Sequence, residues 1–238
     1  MFHVKQFRCR TGQSQKKGEG VSPINADDEN SVDAPTSAAI DFFGSAYPPL
    51  QRYVELLRSH GIERGLIGPR ELPKLWDRHI MNCAALTTEF PEQGFIADVG
   101  SGAGLPGIVA AIMRPDAEFV LIETMERRVT WLLEVVQHLA LTNVRVQRAR
   151  AEDLDGAIEA DVVTARAVAA LDKLARWCFP LARVGGQLVL LKGERVHDEV
   201  TAARKVLRKY GADNAVVTSV QPVADYSAAT VLRLTRTK

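Results

Sequence analysis

Asp98-Val99-Gly100-Ser101-Gly102-Ala103-Gly104-Leu105-Pro106-Gly107 is the stretch on which the fold turns. It grows out of Phe95-Ile96-Ala97-Asp98-Val99, a short apolar run that reads as a buried strand, and leads into a predicted helix near 106–114. Glycines at such a junction let the backbone turn sharply and approach a ligand where a Cβ would clash. A dinucleotide fingerprint requires G-x-G-x-x-G or Ala, and its sixth position here is Leu105. The spacing is G-x-G-x-G instead.

Downstream, strand and helix signals alternate. Phe119-Val120-Leu121-Ile122 is a second strand, and Met125, Val129, Leu132, Val136 and Leu139 fall on one face of a helix. Further strands are predicted near 143–148, 161–165, 186–192, 214–220 and 229–235, with helices near 170–178 and 195–210. This alternation predicts an α/β fold with a doubly wound, Rossmann-like, mostly parallel sheet of seven strands. No helix separates the last two strands, so the final one is expected to run antiparallel.

Upstream, residues 36–93 carry no strand signal. Ile40, Phe43, Tyr47, Leu50, Val54 and Leu57 recur at helical spacing, and Pro48-Pro49 is expected to break the run into two helices, with Gly61 as a stop. Leu72, Leu75, Trp76, His79 and Cys83 mark one face of a third helix. This helical section is expected to pack on the catalytic domain of 94–238. Residues 1–35 differ: they hold a basic stretch (Lys5, Arg8, Arg10, Lys16, Lys17), an acidic one (Asp27, Asp28, Glu29, Asp33) and few aliphatic residues. Such a tail cannot bury enough apolar surface to offset its ordering entropy and is expected to be disordered.

Composition excludes several classes of protein. Over 238 residues the chain is 46% hydrophobic and 25% charged, as globular domains are. Three cysteines (Cys9, Cys83, Cys178) give no disulfide framework, and no Cys/His cluster suggests a metal. No apolar run approaches a membrane span. A cytoplasmic monomer without membrane contact is the expectation. The net charge of +1 advertises no nucleic-acid partner globally, so any such surface must be local.

Two acids bear on the ligand. Asp98 precedes the loop, and Glu123 ends the second strand about 20 residues beyond it, where a carboxylate can accept hydrogen bonds from ribose hydroxyls. G-x-G-x-G is the spacing typical of S-adenosylmethionine sites, and Asp98 suits a cofactor that carries an ammonium and a sulfonium. The expected cofactor contacts are Asp98, the loop glycines Gly100, Gly102 and Gly104, and Glu123.

Trp76-Asp77-Arg78-His79, the loop itself, Arg150-Ala151-Glu152, Ala165-Arg166-Ala167 and Leu191-Lys192-Gly193-Glu194 occur in this order. Together, over about 45–238, they resemble the bacterial ribosomal-RNA small subunit methyltransferase G family, once called glucose-inhibited division protein B. The resemblance implies a class I methyltransferase fold and S-adenosylmethionine-dependent methylation of guanine N7 in the decoding-region hairpin of 16S rRNA. It implies cofactor contacts at Gly100, Leu105, Ala151, Glu152 and Arg166, and a link to streptomycin susceptibility. Where many members read Arg-His, two residues and Asp-Ser, this chain has Asn82-Cys83.

Each remaining residue has two readings. Ala151-Glu152 follows the third strand and either holds the adenine or caps a helix. Arg166 and Lys192 stand at the carboxyl edge of the sheet, where doubly wound folds keep ligands. They are the candidate catalytic residues, able to meet guanine O6 or a phosphate. Against this, Arg166 could pair with Asp98 or Asp172, and Lys192 could be merely solvated. His79 lies on an apolar stripe and reads as a core histidine, while Trp76, Trp131 and Cys178 read as packing. Arg70, Lys74 and Arg78 on one helix, and Arg145, Arg148 and Arg150 further on, offer RNA contacts. Guanine N7 already carries an in-plane lone pair, so its methylation requires in-line approach and no general base.

Overall fold

The computed structural model describes residues 33–166 and 169–238. Its centre is β1 (Phe95–Val99), flanked by β2 (Glu118–Glu123) and β4 (Ala160–Ala165). With β3 (Val144–Arg148), β5 (Ala182–Lys192), β6 (Val216–Val220) and β7 (Ala229–Thr235), they form a seven-stranded sheet ordered β3-β2-β1-β4-β5-β7-β6. β1 through β5 pair in parallel, and β7 runs antiparallel to both β5 and β6, as the missing helix between the last two strands foretold. The strand order reverses beside β1: β2 follows on one side and β4 lies on the other. Doubly wound sheets bind ligands outside the carboxyl ends of the strands at such a switch point.

Both faces of the sheet are covered, which is why its inner strands read as continuous apolar runs. On one face α4 (Gly107–Met113) and α5 (Glu126–His138) pack with the helical section; on the other lie α6 (Leu171–Cys178) and α7 (Val196–Lys209). β5 begins at Ala182, earlier than expected, because Gly185 and Gly186 interrupt the apolar run there and hide its first half from a hydropathy reading.

The helical section is α1 (Ser37–Phe43), α2 (Tyr47–His60) and α3 (Met81–Thr87), with short 3-10 turns at Gly44–Ala46 and Leu72–Lys74 and a π-helical turn at Leu75–Ile80. Leu50, Leu57, Leu72 and Ile80 share one buried core with Ile108 and Trp131, so this section belongs to the body of the fold. Three details differ from the sequence reading. The break between the first two helices falls at Gly44, whose φ is 51°, while Pro48 and Pro49 open α2, where their missing N–H groups cost nothing. Gly61 does end α2 as its C-cap, but with a right-handed φ of −64° where a left-handed one is usual, and its lack of a Cβ admits Ile67, whose Cγ1 would lie 2.6 Å from one. Arg70, Lys74 and Arg78 do not share one helix: Arg70 sits in a turn, Lys74 in the 3-10 turn and Arg78 in the π turn.

The tail expected over 1–35 lies outside the described residues up to position 32. Asp33 is described, and it is anchored. Its N–H donates to the Pro73 carbonyl at 3.1 Å, and its carboxylate accepts from the N–H groups of Trp76 at 3.0 Å and Asp77 at 2.9 Å. No helix among the described residues is long and apolar enough to cross a membrane.

Candidate active site

The glycine loop leaves β1 in left-handed conformations at Gly100 (φ 70°), Gly102 (58°) and Gly104 (105°), which side chains with a Cβ rarely adopt. The loop is pinned from below. Gly100 N–H donates to the Ile122 carbonyl at 2.8 Å. The Ala103 carbonyl accepts from Tyr53 Oη at 2.9 Å and from Trp131 Nε1 at 2.8 Å. Trp131, expected only to pack, therefore also fixes the loop, and Tyr53 brings α2 into the same task.

Above the loop opens a cavity of about 580 Å³, a size ordinary for small-molecule sites. Gly100, Gly102, Leu105, Glu123, Ala151, Glu152 and Arg166 line it, so seven of the expected contacts meet in one place. Glu123 is buried and organises the rim. Its Oε1 accepts from the N–H groups of Thr124 at 2.8 Å and Met125 at 2.9 Å, and its Oε2 accepts from Gly102 N–H at 3.0 Å. Oε2 keeps a lone pair for a hydroxyl donor in the cavity. Leu66, Met125, Arg128 and Trp177 also line it, and none of the four is a site candidate in the sequence. Met125 and Arg128 lie within five residues of Glu123 and were open to inference. Leu66 comes from an irregular loop and Trp177 from α6, and neither carries a local signal.

Two expected contacts lie elsewhere. Asp98 is fully buried beneath the loop, where its Oδ2 accepts from Gly107 N–H at 3.0 Å and its Oδ1 has no partner. Burial pushes its pKa up to about 7, against a slighter lowering by its hydrogen bonds. Gly104 also faces inward: a Cβ there would meet Ile108 Cγ1 at 2.6 Å and Tyr53 Oη at 3.0 Å. Both residues shape the floor and do not line the cavity.

A second cavity of about 540 Å³ adjoins the first, and Arg166 lines both. Its other walls include Glu71, Arg78, His79 and Asn82 from the helical section, Lys192 at the end of β5 with Gly193 after it, and Ala229 and Thr230 of β7. Arg166 pairs with neither Asp98 nor Asp172, the partners weighed in the sequence. Its Nη1 donates instead to His79 Nδ1 at 2.8 Å. His79 is thus a wall residue rather than a core one, and its Nε2 lies 3.0 Å from Glu71 Oε2. Lys192 is not solvated: its side chain is 8% exposed, and Nζ donates to Glu199 Oε2 at 2.8 Å. Cys83 and Cys178 are buried, and burial raises both thiols, Cys83 to about 11, which removes them as nucleophiles. Trp76 packs against Phe43 and Tyr47, and Asn82 Nδ2 donates to the Arg78 carbonyl at 2.7 Å.

In shape the chain is similar to a precorrin-6Y C5,15-methyltransferase from Geobacter metallireducens GS-15, with a TM-score of 0.50 and 15% identity over 72% of this chain and 90% of that one. It is likewise similar to M. jannaschii TYW2 in complex with AdoMet, with a TM-score of 0.51 and 18% identity over 66% and 76% of the two chains. At such identity the likeness concerns architecture, and the fold is that of the Rossmann-like class I methyltransferases. Sequence comparison is more specific. The family described as rRNA small subunit methyltransferase G matches residues 46–225. Relatives named ribosomal RNA small subunit methyltransferase G are 49% identical over 203 residues in Thermobifida fusca and 53% identical over 188 residues in Pseudarthrobacter chlorophenolicus. They cover 85% and 79% of this chain, and 86% of each relative is matched. The chain belongs to the rRNA small subunit methyltransferase G family.

Proposed function

We propose that this chain transfers the methyl group of S-adenosylmethionine to N7 of a guanine in the decoding-region hairpin of 16S rRNA. The observation that carries the reading is that Arg166 lines two adjoining cavities, one shaped by glycines and an acid, the other by charged side chains. A donor and an acceptor of a methyl group must meet at such a junction. S-adenosylmethionine supplies an electrophilic methyl on a sulfonium. For it, Gly100 and Gly102 leave room beside the backbone, Glu123 has Oε2 to offer a ribose hydroxyl, and Ala151 and Glu152, which line the same cavity, are the contacts we assign to the base. Asp98 acts from beneath by holding α4 against β1 through Gly107.

In the second cavity Arg166 follows β4 and Lys192 ends β5, and both bring a cationic group. Either can donate to guanine O6 or to a flanking phosphate. Their neighbours Glu199 and His79 hold them in place, so little is lost in ordering long side chains when RNA binds. The reaction asks for no proton acceptor, because the N7 lone pair attacks without losing a proton. Incubation of the full chain with tritiated S-adenosylmethionine and 16S rRNA or small subunits, followed by mapping, tests the reading. Label is expected at one guanine that becomes sensitive to N7-methylguanosine cleavage; label on protein, on a small molecule or on another RNA position overturns it. In cells, loss of the protein should remove that cleavage site and mildly raise streptomycin tolerance.

A further inference from the structure

Three side chains that are distant in sequence form one chain of hydrogen bonds across the second cavity: Glu71, His79 and Arg166. An arginine can only donate, so His79 Nδ1 must be the acceptor of the 2.8 Å contact. The proton of the neutral imidazole then sits on Nε2 and is donated to the Glu71 carboxylate at 3.0 Å. Glu71 thereby selects the tautomer that His79 offers to Arg166. The geometry points to His79 as a positioning residue, which fixes where the Arg166 guanidinium stands between the two cavities. The inference rests on the proposed methyl transfer for its kinetic consequence, and on geometry alone for its tautomer.

Its physical logic has a direction in pH. Protonated on both nitrogens, the ring can no longer accept from Arg166 and becomes a cation facing a cation. The charged groups facing His79 are Arg166 from the end of β4, Glu71 from the turn before the 3-10 segment and Arg78 from its own π turn. Lys192, Glu194 and Glu199 share the cavity. Burial, then Arg166, hold the imidazole below its ordinary value, while Glu71 acts the other way. The neutral, accepting form therefore prevails at neutral pH, and the clamp opens only on the acid side of an ordinary histidine's titration. A required general base would give a limb too, but one abolished together with catalysis when the base is replaced. A positioning histidine can be replaced by a non-titrating acceptor.

Single-turnover methylation of 16S rRNA at saturating S-adenosylmethionine, between about pH 5 and 8.5, supplies the kinetic test. Wild type should lose rate on the acid side. His79→Gln, whose amide can accept from Arg166 without titrating, should be slower but lack that limb. His79→Ala should lose about tenfold in rate at pH 8 with cofactor affinity within about twofold. A limb that persists in His79→Gln belongs to another group, buried Asp98 being the near candidate, and overturns the inference. So does a His79→Ala variant that melts lower but transfers methyl at the wild-type rate. Imidazole nitrogen spectra of the full chain need no substrate: Nε2–H should be the neutral tautomer, and the His79 pKa should rise in Arg166→Ala and fall in Glu71→Gln. An Nδ1–H tautomer, or a pKa indifferent to Arg166, sinks the inference whatever the enzyme methylates. Wild type that moves no methyl to rRNA but shows these spectra leaves the clamp standing and removes the proposed function instead.

Discussion

The two cavities that share Arg166 are built from different materials. The first is a contiguous piece of backbone: three left-handed glycines, pinned by Tyr53 and Trp131 on one carbonyl and by Glu123 on Gly102. The second is a meeting of side chains from four parts of the chain, Glu71 and His79, Arg166, Lys192, and Glu199. A wall of backbone tolerates no added atom, whereas a wall of paired charges tolerates shape changes and responds to the loss of a partner. The variants below separate these two behaviours.

The largest effect is expected from one methyl group. A Cβ on Gly107 would collide with Leu121 Cδ2 and lie 2.6 Å from Asp98 Oδ2. Gly107→Ala must therefore push α4 off β1 and take the loop with it. Cofactor affinity, measured by calorimetry, should fall by more than about 100-fold, while filter binding of rRNA stays within about twofold because the charged wall is left in place. Equal losses in both would erase the distinction between the cavities.

That asymmetry also explains what could be read from the sequence. The alternation of strands and helices, the antiparallel last strand and the glycine-and-acid side of the first cavity follow from local patterns, whereas Ala151, Glu152 and Arg166 enter through the family resemblance. The second cavity has no such pattern. Glu71, His79 and Arg166 are separated by 8 and 87 residues, and their bonds exist only because the helical section docks on the sheet. His79 on an apolar stripe is indistinguishable, by spacing, from a packed histidine. Asp98 and Gly104 are hard to read for a different reason. A motif says which residues surround a turn but not which way each one faces, and both turned to the floor.

Arg166, at the border, should show both behaviours. Arg166→Ala should slow single-turnover transfer by roughly 10²-fold or more through lost positioning and electrostatic support. Arg166→Lys should recover only part of this, because a single ammonium cannot serve His79 and the cavity with a planar fork. A fully active lysine variant would mean that only the charge matters.

Asp98 tests the floor of the first cavity by pH. Its pKa when folded is about 7, above the ordinary 3.8, so its stabilising share is complete below the unfolded value and is lost as pH rises through 7. Asp98→Asn keeps an acceptor for Gly107 N–H but cannot ionise. Its melting temperature should therefore gain on wild type between about pH 5 and 8, by several degrees. Any fixed cost of burying the amide cancels in that slope. Parallel profiles would show that Asp98 does not change its charge there.

The smallest effect should come from the edge of the helical section, where Asp33 ties the chain to the start of the π turn that carries His79. Its carboxylate accepts two backbone N–H bonds, from Trp76 and Asp77, as a helix cap does. Removing such a cap costs about 1–2 kcal/mol, and in a chain of this length each kcal/mol lowers the melting temperature by roughly 2–4 °C. Asp33→Ala in the full chain should show that loss, and Asp33→Asn about half of it, since one amide oxygen can keep one of the two bonds. Because the tether lies two residues from His79 in the chain and bonds no residue of the glycine loop, any kinetic effect should fall on the rate of transfer and leave cofactor affinity alone. A melting temperature unchanged in Asp33→Ala would mean that Trp76 and Asp77 find other acceptors at no cost. A loss of cofactor affinity would mean that the two cavities are mechanically one.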